Sequence, residues 1–301
     1  MTDAALPASV VDLLGGPIHS FMHEGGLRAE HTRLMSAHHH PVAWDRTTAA
    51  SLPTATRSRL ASVWRAATLS EHRSVGVFAQ LTLDLLAVGA PAEVLSVACR
   101  ATLDEVRHAE LFARLTALYS GQQESPPPGI APLPEDPNVS IRDQVAREML
   151  FLSVGSETYS AVLLAALHGR AKDPVVRDVL GVVLADEIFH ARLGWSYLAS
   201  LLRAEPLPAG DPRALLQASL VPIFEALGRA LFGDPRKLPD TAVHGEERAL
   251  CEAHGYMARR EEYRLFRDTV RDVWVPGLTA LGLDGGRLLG RFPDVAPSRG
   301  D

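Results

Sequence analysis

The chain has 301 residues, 47% of them hydrophobic and 22% charged, an ordinary composition for a globular protein with ample core. A formal net charge of −6 and the lack of any Lys/Arg block argue against nucleic acid as a partner. The two cysteines, Cys99 and Cys251, form no CxxC pair, which excludes a disulfide framework, a zinc ribbon and a built-in rubredoxin-type centre, and fits a reducing compartment.

The opening MTDAALPASV has no basic region leading into an apolar stretch. The greasiest segments are interrupted too early to span a bilayer, as by Asp84 within LTLDLLAVGA. The expectation is a cytoplasmic protein without a membrane span. Residues 1–45 are rich in Gly, His and Pro, include His19, His23, His31 and His38 to His40, and show no sustained period. They read as a loose extension with adventitious metal affinity.

From residue 46 onward the chain reads as one helical domain, with a four-helix core over about 55–203 and accessory helices over about 212–290. Helices are expected over 55–88, 91–119, 139–169 and 174–203. Gly89 can end the first, Pro91 suits the start of the second, and Asp173-Pro174 is a cap and first-position pair for the fourth. Two more helical stretches follow, about 212–232 and 245–275, with Pro276 expected to close the latter. Strand signals are nearly absent, so the fold class is all-α.

The connection over 120–140 carries six prolines and cannot be helical throughout. Loops of this length inside a domain usually have a reason. A bundle whose second and third helices run parallel supplies one, because the chain must return along the bundle's length. About 32 residues of helix lie between the levels concerned, a return of roughly 48 Å. Twenty extended residues reach about 66–72 Å, which is enough.

Two segments repeat each other: Asp104-Glu105-Val106-Arg107-His108-Ala109 and Asp186-Glu187-Ile188-Phe189-His190-Ala191. In each ExxH, residues three apart share a helix face and can reach one ion. One copy is weak, but two copies as DExxHA at mid-helix form a pattern. Leu95, Cys99, Thr102, Glu105, His108 and Phe112 share one stripe; Leu180, Val183, Glu187, His190 and Gly194 share another. Acids on an apolar face need compensation, and a metal provides it.

The other two core helices each offer one inward acid. Glu71 leads the stripe Glu71, Val75, Phe78, Thr82, Leu85. Glu157 lies among Leu150, Val154, Ala161 and Leu164. Glu148 is its rival, placed about 180° away by helical periodicity. Counted from the hairpin centres, Glu71 and Glu105 lie about 18 and 16 residues out, and Glu157 and Glu187 about 14 and 16. The mismatch is roughly 3 Å per hairpin, so all four acids can meet at one height.

One Glu from each of two helices with ExxH from each of the other two resembles the ferritin-like di-metal carboxylate superfamily, over residues 55–203. The resemblance implies a ferritin-like four-helix bundle. It implies Glu71, Glu105, His108, Glu157, Glu187 and His190 as catalytic ligands of two ions, with Glu105 and either Glu157 or Glu187 bridging. Iron suits these donors and manganese is the alternative. In the wider family an acid before the ligating Glu orients an imidazole, often on the opposite helix, which assigns that role to Asp104 and Asp186, with Arg107 neutralising one of them.

Within the superfamily, Phe112 replaces the tyrosine of a ribonucleotide-reductase-like radical protein, and Val183 replaces the extra histidine of aromatic-amine N-oxygenases. The expected function is a di-iron oxidoreductase, a monooxygenase or oxidase, that uses O2 as co-substrate and an external electron donor on a small organic substrate. The substrate pocket is expected along Phe78, Thr82, Cys99, Thr102, Ser153 and Leu184, with Gly76, Gly155 and Ala161 making room. The accessory helices suggest a cover or a homodimer surface. His254 is either a further site group or a plain helix histidine. Iron or peroxide handling without an organic substrate is the alternative, and a metal-free structural bundle a third.

Overall fold

Every regular element among the described residues of the computed structural model, 42–123, 139–203, 211–238 and 243–295, is helical. The expected extension over 1–45 and the body of the 120–140 connection fall almost wholly outside those residues. The helices are α1 (Thr54–Ala87), α2 (Ala92–Ser120), α3 (Ile141–Met149), α4 (Thr158–Arg170), α5 (Pro174–Arg203), α6 (Pro212–Phe232), α7 (Gly245–Ala253), α8 (Arg259–Thr269) and α9 (Val275–Ala280).

Two end contacts establish how the long rods run. Near the end of α1, Gln144 of α3 donates to Asp84 at 3.4 Å. At the opposite end, Tyr119 in the last turn of α2 lies 2.7 Å from His254, whose neighbour Ala253 accepts from the backbone N–H groups of Lys172 and Asp173, just before α5. The start of α3 therefore lies at the α1–α2 hairpin end, and α2 runs parallel to the α3–α4 rod. Ser120 and Ile141 thus lie at opposite ends of the helical rods.

Local chemistry sets the helix ends. Gly89 takes φ +70° after α1, and Gly121 takes φ +74° as the left-handed cap of α2. Asp173 caps α5 by accepting from Val175 and Val176 at 3.1 Å each. Its other oxygen accepts from Thr47 and from the backbone and side chain of Thr48. The 245–275 stretch departs from expectation. It breaks after Ala253, where Gly255 takes φ +84° against the ring of Trp64. Pro276 does not end it, because that residue lies in the first turn of α9, where no N–H is required.

The third rod holds the main departure. Between α3 and α4, Leu150–Glu157 is a π-helical segment that leads directly into Glu157. Wider turns loosen the hydrogen-bond ladder, and partners from elsewhere brace it. The Trp274 indole donates to the Val154 carbonyl at 2.8 Å, and the Trp195 indole donates to Thr158 at 3.1 Å. Trp274 lies in a second π-helical segment, Val270–Trp274, and packs on Phe224 of α6 with ring centroids 4.8 Å apart. The accessory helices thus back the rod that carries Glu157. Ile141–Arg170 and Pro212–Lys237 are long and apolar enough to cross a membrane by length and composition, unlike the expectation of no such segment. Much of that surface has partners here, including Val145, Met149 and Leu150 on the first and Leu216, Leu220 and Phe224 on the second.

Helix α5 approaches the π segment so closely that only glycine fits at position 194. A Cβ there would lie 2.4 Å from Ser153 Cβ and 3.0 Å from the Met149 carbonyl. Gly194→Ala should destabilise the protein by about 1–3 kcal/mol through overpacking, read as a lower denaturation midpoint in urea. An unchanged midpoint would show that the two rods are not pressed together at this level.

Candidate metal centre

Glu71 comes from α1, Glu105 and His108 from α2, Glu157 from the end of the π segment, and Glu187 and His190 from α5. The ExxH spacing works as helix geometry requires, with each Glu one turn before its His on the inner face. The ligand-capable atoms fall into two groups, Glu71, Glu105, His108 and Glu187, and Glu105, Glu157, Glu187 and His190. Within each group those atoms lie within 4.8 Å of one another. Glu105 and Glu187 belong to both groups, while Glu71 and Glu157 stand in one each.

The two imidazoles are held alike. His108 Nδ1 faces Glu187 at 3.2 Å, Glu71 at 3.5 Å and Glu105 at 3.7 Å. His190 Nδ1 faces Glu105 at 3.2 Å and Glu157 at 3.6 Å. Behind them the aspartates cross over: Asp186 of α5 lies 3.3 Å from His108 Nε2, and Asp104 of α2 lies 3.4 Å from His190 Nε2. A carboxylate only accepts, so each contact places the imidazole N–H on Nε2 and turns Nδ1 toward the glutamates. Arg107 donates to Asp104 at 3.0 Å and to Asp186 at 3.2 Å, offsetting both.

Arg100 belongs to the same layer, although its role was not expected. It donates to Asp104 at 3.2 Å and Asp186 at 3.4 Å, and its guanidinium lies 4.6 Å from the centre of the Phe189 ring. The i,i+4 spacing of Arg100 and Asp104 was the available signal in the sequence.

Burial makes this cluster costly as it stands. Both carboxylate oxygens of Glu105, one of Glu187 and Nδ1 of both histidines are buried without a hydrogen-bond partner. Each such orphan costs about 1–3 kcal/mol, more when charged. Burial pushes the Glu71 carboxyl up to about 8, helped by the charges of Glu105 and Glu187 against the pull of His108. Burial, with the charge of Glu157, holds Glu187 well above the carboxylate range. For Glu105 burial acts upward, but the two histidines facing it outweigh that and bring the group to about 2. Burial would lower both imidazoles, yet their carboxylate partners win, His108 rising well above its usual range and His190 to about 12. Protons therefore supply the positive charge that four glutamates demand. Oxygen and imidazole donors without thiolate suit iron or manganese, so these buried groups fit a metal ion.

The expected pocket residues are only partly assembled. Phe78 is buried with its ring 5.2 Å from that of His190, and Ser153 is buried with an unpartnered hydroxyl. The Thr82 and Thr102 hydroxyls donate to the carbonyls of Phe78 and Ala98, and Leu184 is half-buried. Cys99 is exposed, which corrects its placement in the pocket. It lies roughly 120° around α2 from Glu105. Gly155 faces Leu227 of α6 rather than leaving space beside the cluster. Glu148 hydrogen-bonds Gln144 and stands in neither metal-capable group.

No protein-family model matches the chain, nor does any curated protein or any solved structure.

Metal ions must displace the imidazole protons to bind, so uptake should release protons and affinity should rise as pH increases from 6 to 8. Calorimetric titration with manganous ion in two buffers of different ionisation enthalpy reads the proton count. Identical heats in both buffers would contradict the protonated state of the metal-free cluster.

Proposed function

We propose that the chain is a ferritin-like di-metal carboxylate protein, and that it uses a pair of iron ions and O2 to oxidise or oxygenate a small organic molecule. The observation that carries this reading is the overlap of two four-residue ligand groups that share Glu105 and Glu187. One isolated ion would need one such group, whereas two groups with common carboxylates suit two ions side by side. Glu71 and His108 would complete one ion's set, and Glu157 and His190 the other's. When bound, a ferrous pair supplies electrons for reduction of O2 beside the substrate.

The protein's own groups set the conditions for that chemistry. Asp104 and Asp186 hold the imidazoles in one tautomer, and Arg100 and Arg107 hold those aspartates in place by ion pairs. Phe78 walls the His190 side with an apolar ring and helps exclude water. Access favours the Glu71 side, where that side chain is 14% exposed while those of the other five ligand-capable residues are at most 5% exposed. With no cysteine-bound redox centre to draw on, the electrons would come from an external donor. The same opening at Glu71 favours a second reading, oxidation of iron as the substrate itself.

Anaerobic loading with ferrous iron, followed by stopped-flow mixing with O2, separates these readings. A transient visible absorbance that a bound organic substrate accelerates to decay supports the oxygenase. Two irons with no transient and continued iron uptake supports iron oxidation. Glu105→Ala and His190→Ala should each lose iron while far-UV circular dichroism retains the helices. Unchanged iron content in both variants would remove the assignment.

A further inference from the structure

A second buried polar cluster lies at the far end of α2, outside the metal-capable groups. Tyr119 and His254 are both buried, with the phenol oxygen 2.7 Å from His254 Nδ1. The tautomer follows from the partners. Thr48 spends its hydroxyl hydrogen on Asp173, so its oxygen, 3.4 Å from His254 Nε2, accepts from that nitrogen. Nδ1 is then left as the acceptor for the Tyr119 O–H. Burial and the charge of Asp173 push the phenol up, and burial holds His254 below its usual range, so a neutral phenol faces a neutral imidazole base.

Two aromatic rings in contact with each other, Trp64 and Phe112, lie along α1 and α2 between the pair and the centre. His108, Phe112 and Tyr119 occupy one inner stripe of α2, spanning about 16 Å. Trp64 of α1 packs on Phe112 with centroids 5.4 Å apart, two turns or roughly 10 Å before Glu71. Its ring edge also lies against Gly255, the neighbour of His254, where an added Cβ would come within 2.6 Å of it. Trp64 is 2% exposed, and its indole nitrogen has no hydrogen-bond partner. A simple structural tether would need neither an electron-rich indole in this position nor a phenol aimed at an imidazole acceptor.

We infer that Tyr119 and His254 form a proton-coupled electron donor to the metal centre, reached through Trp64. The inference rests on the O2-activating reading. An oxidised metal centre left without organic substrate is the oxidant. Tyr119 would give it one electron by way of Trp64, while the phenolic proton would cross the 2.7 Å hydrogen bond to His254 Nδ1. The products are a neutral tyrosyl radical, an imidazolium at His254 stabilised by Asp173 3.8 Å away, and a centre reduced by one electron. The external one-electron donor later restores the phenol, and the proton returns. The pair would thus drain oxidising equivalents before they damage the ligands.

The test uses the full chain loaded with ferrous iron, mixed with O2 without organic substrate and freeze-quenched for electron paramagnetic resonance. Wild type should give a radical whose hyperfine pattern changes on incorporation of ring-deuterated tyrosine. Tyr119→Phe should lose that signal at unchanged iron content, and Trp64→Phe should delay its appearance. His254→Gln, which keeps an acceptor but cannot take the proton, should shorten its lifetime. A chain that binds two irons and consumes O2 with no radical dependent on Tyr119 would overturn this inference alone. Failure to bind iron would overturn it together with the reading on which it rests.

Discussion

Four glutamates and two histidines meet in the apolar middle of the four rods, and their charge has to be balanced there. Removing one ion from water costs several kcal/mol even after relaxation, so such a cluster survives only with compensation. In the protein alone, protons on the imidazoles and on the raised glutamates provide it, leaving orphaned oxygen and nitrogen atoms that point at one another. Two divalent ions would satisfy those atoms directly. The outer layer follows from the same constraint: crossed aspartates hold the imidazole N–H groups, and two arginines hold the aspartates.

The accessory helices then acquire a reason. Glu157 closes a π-helical segment, a geometry that stacks poorly alone and tends to mark functional positions. Trp274 supplies a donor to the carbonyl of Val154 within that segment, and Trp274 itself is fixed by Phe224 and Phe266. Gly194 lets α5 press on it from the other side. The height and aim of one glutamate thus depend on residues more than 100 positions away in the chain.

Much of this was legible in the chain because its signals are periodic. The two DExxHA segments, the inward stripes through Glu71 and Glu157, and the Asp173-Pro174 helix start all depend on local spacing. The π segment was not legible, since nothing in LFLSVGSE departs from an α-helical pattern and its wide turns depend on Trp274 and α5. Stripes drawn by fixed periodicity also pass over the edge of a face, which is how Cys99 came to be grouped with Glu105 although it is exposed. Gly155 looked like spare room, but its space is taken by Leu227 from an accessory helix whose docking no local pattern encodes. His254 could be read either way from sequence. It occupies a helix end and bonds Tyr119, a contact across 135 positions that only folding creates.

The most direct measurement is anomalous diffraction from crystals of the chain equilibrated with manganous ion, together with metal content per chain in solution. The expected result is two ions per chain, side by side, with Glu105 and Glu187 in contact with both. A single ion, or ions only on residues outside the six named here, would contradict a paired metal centre.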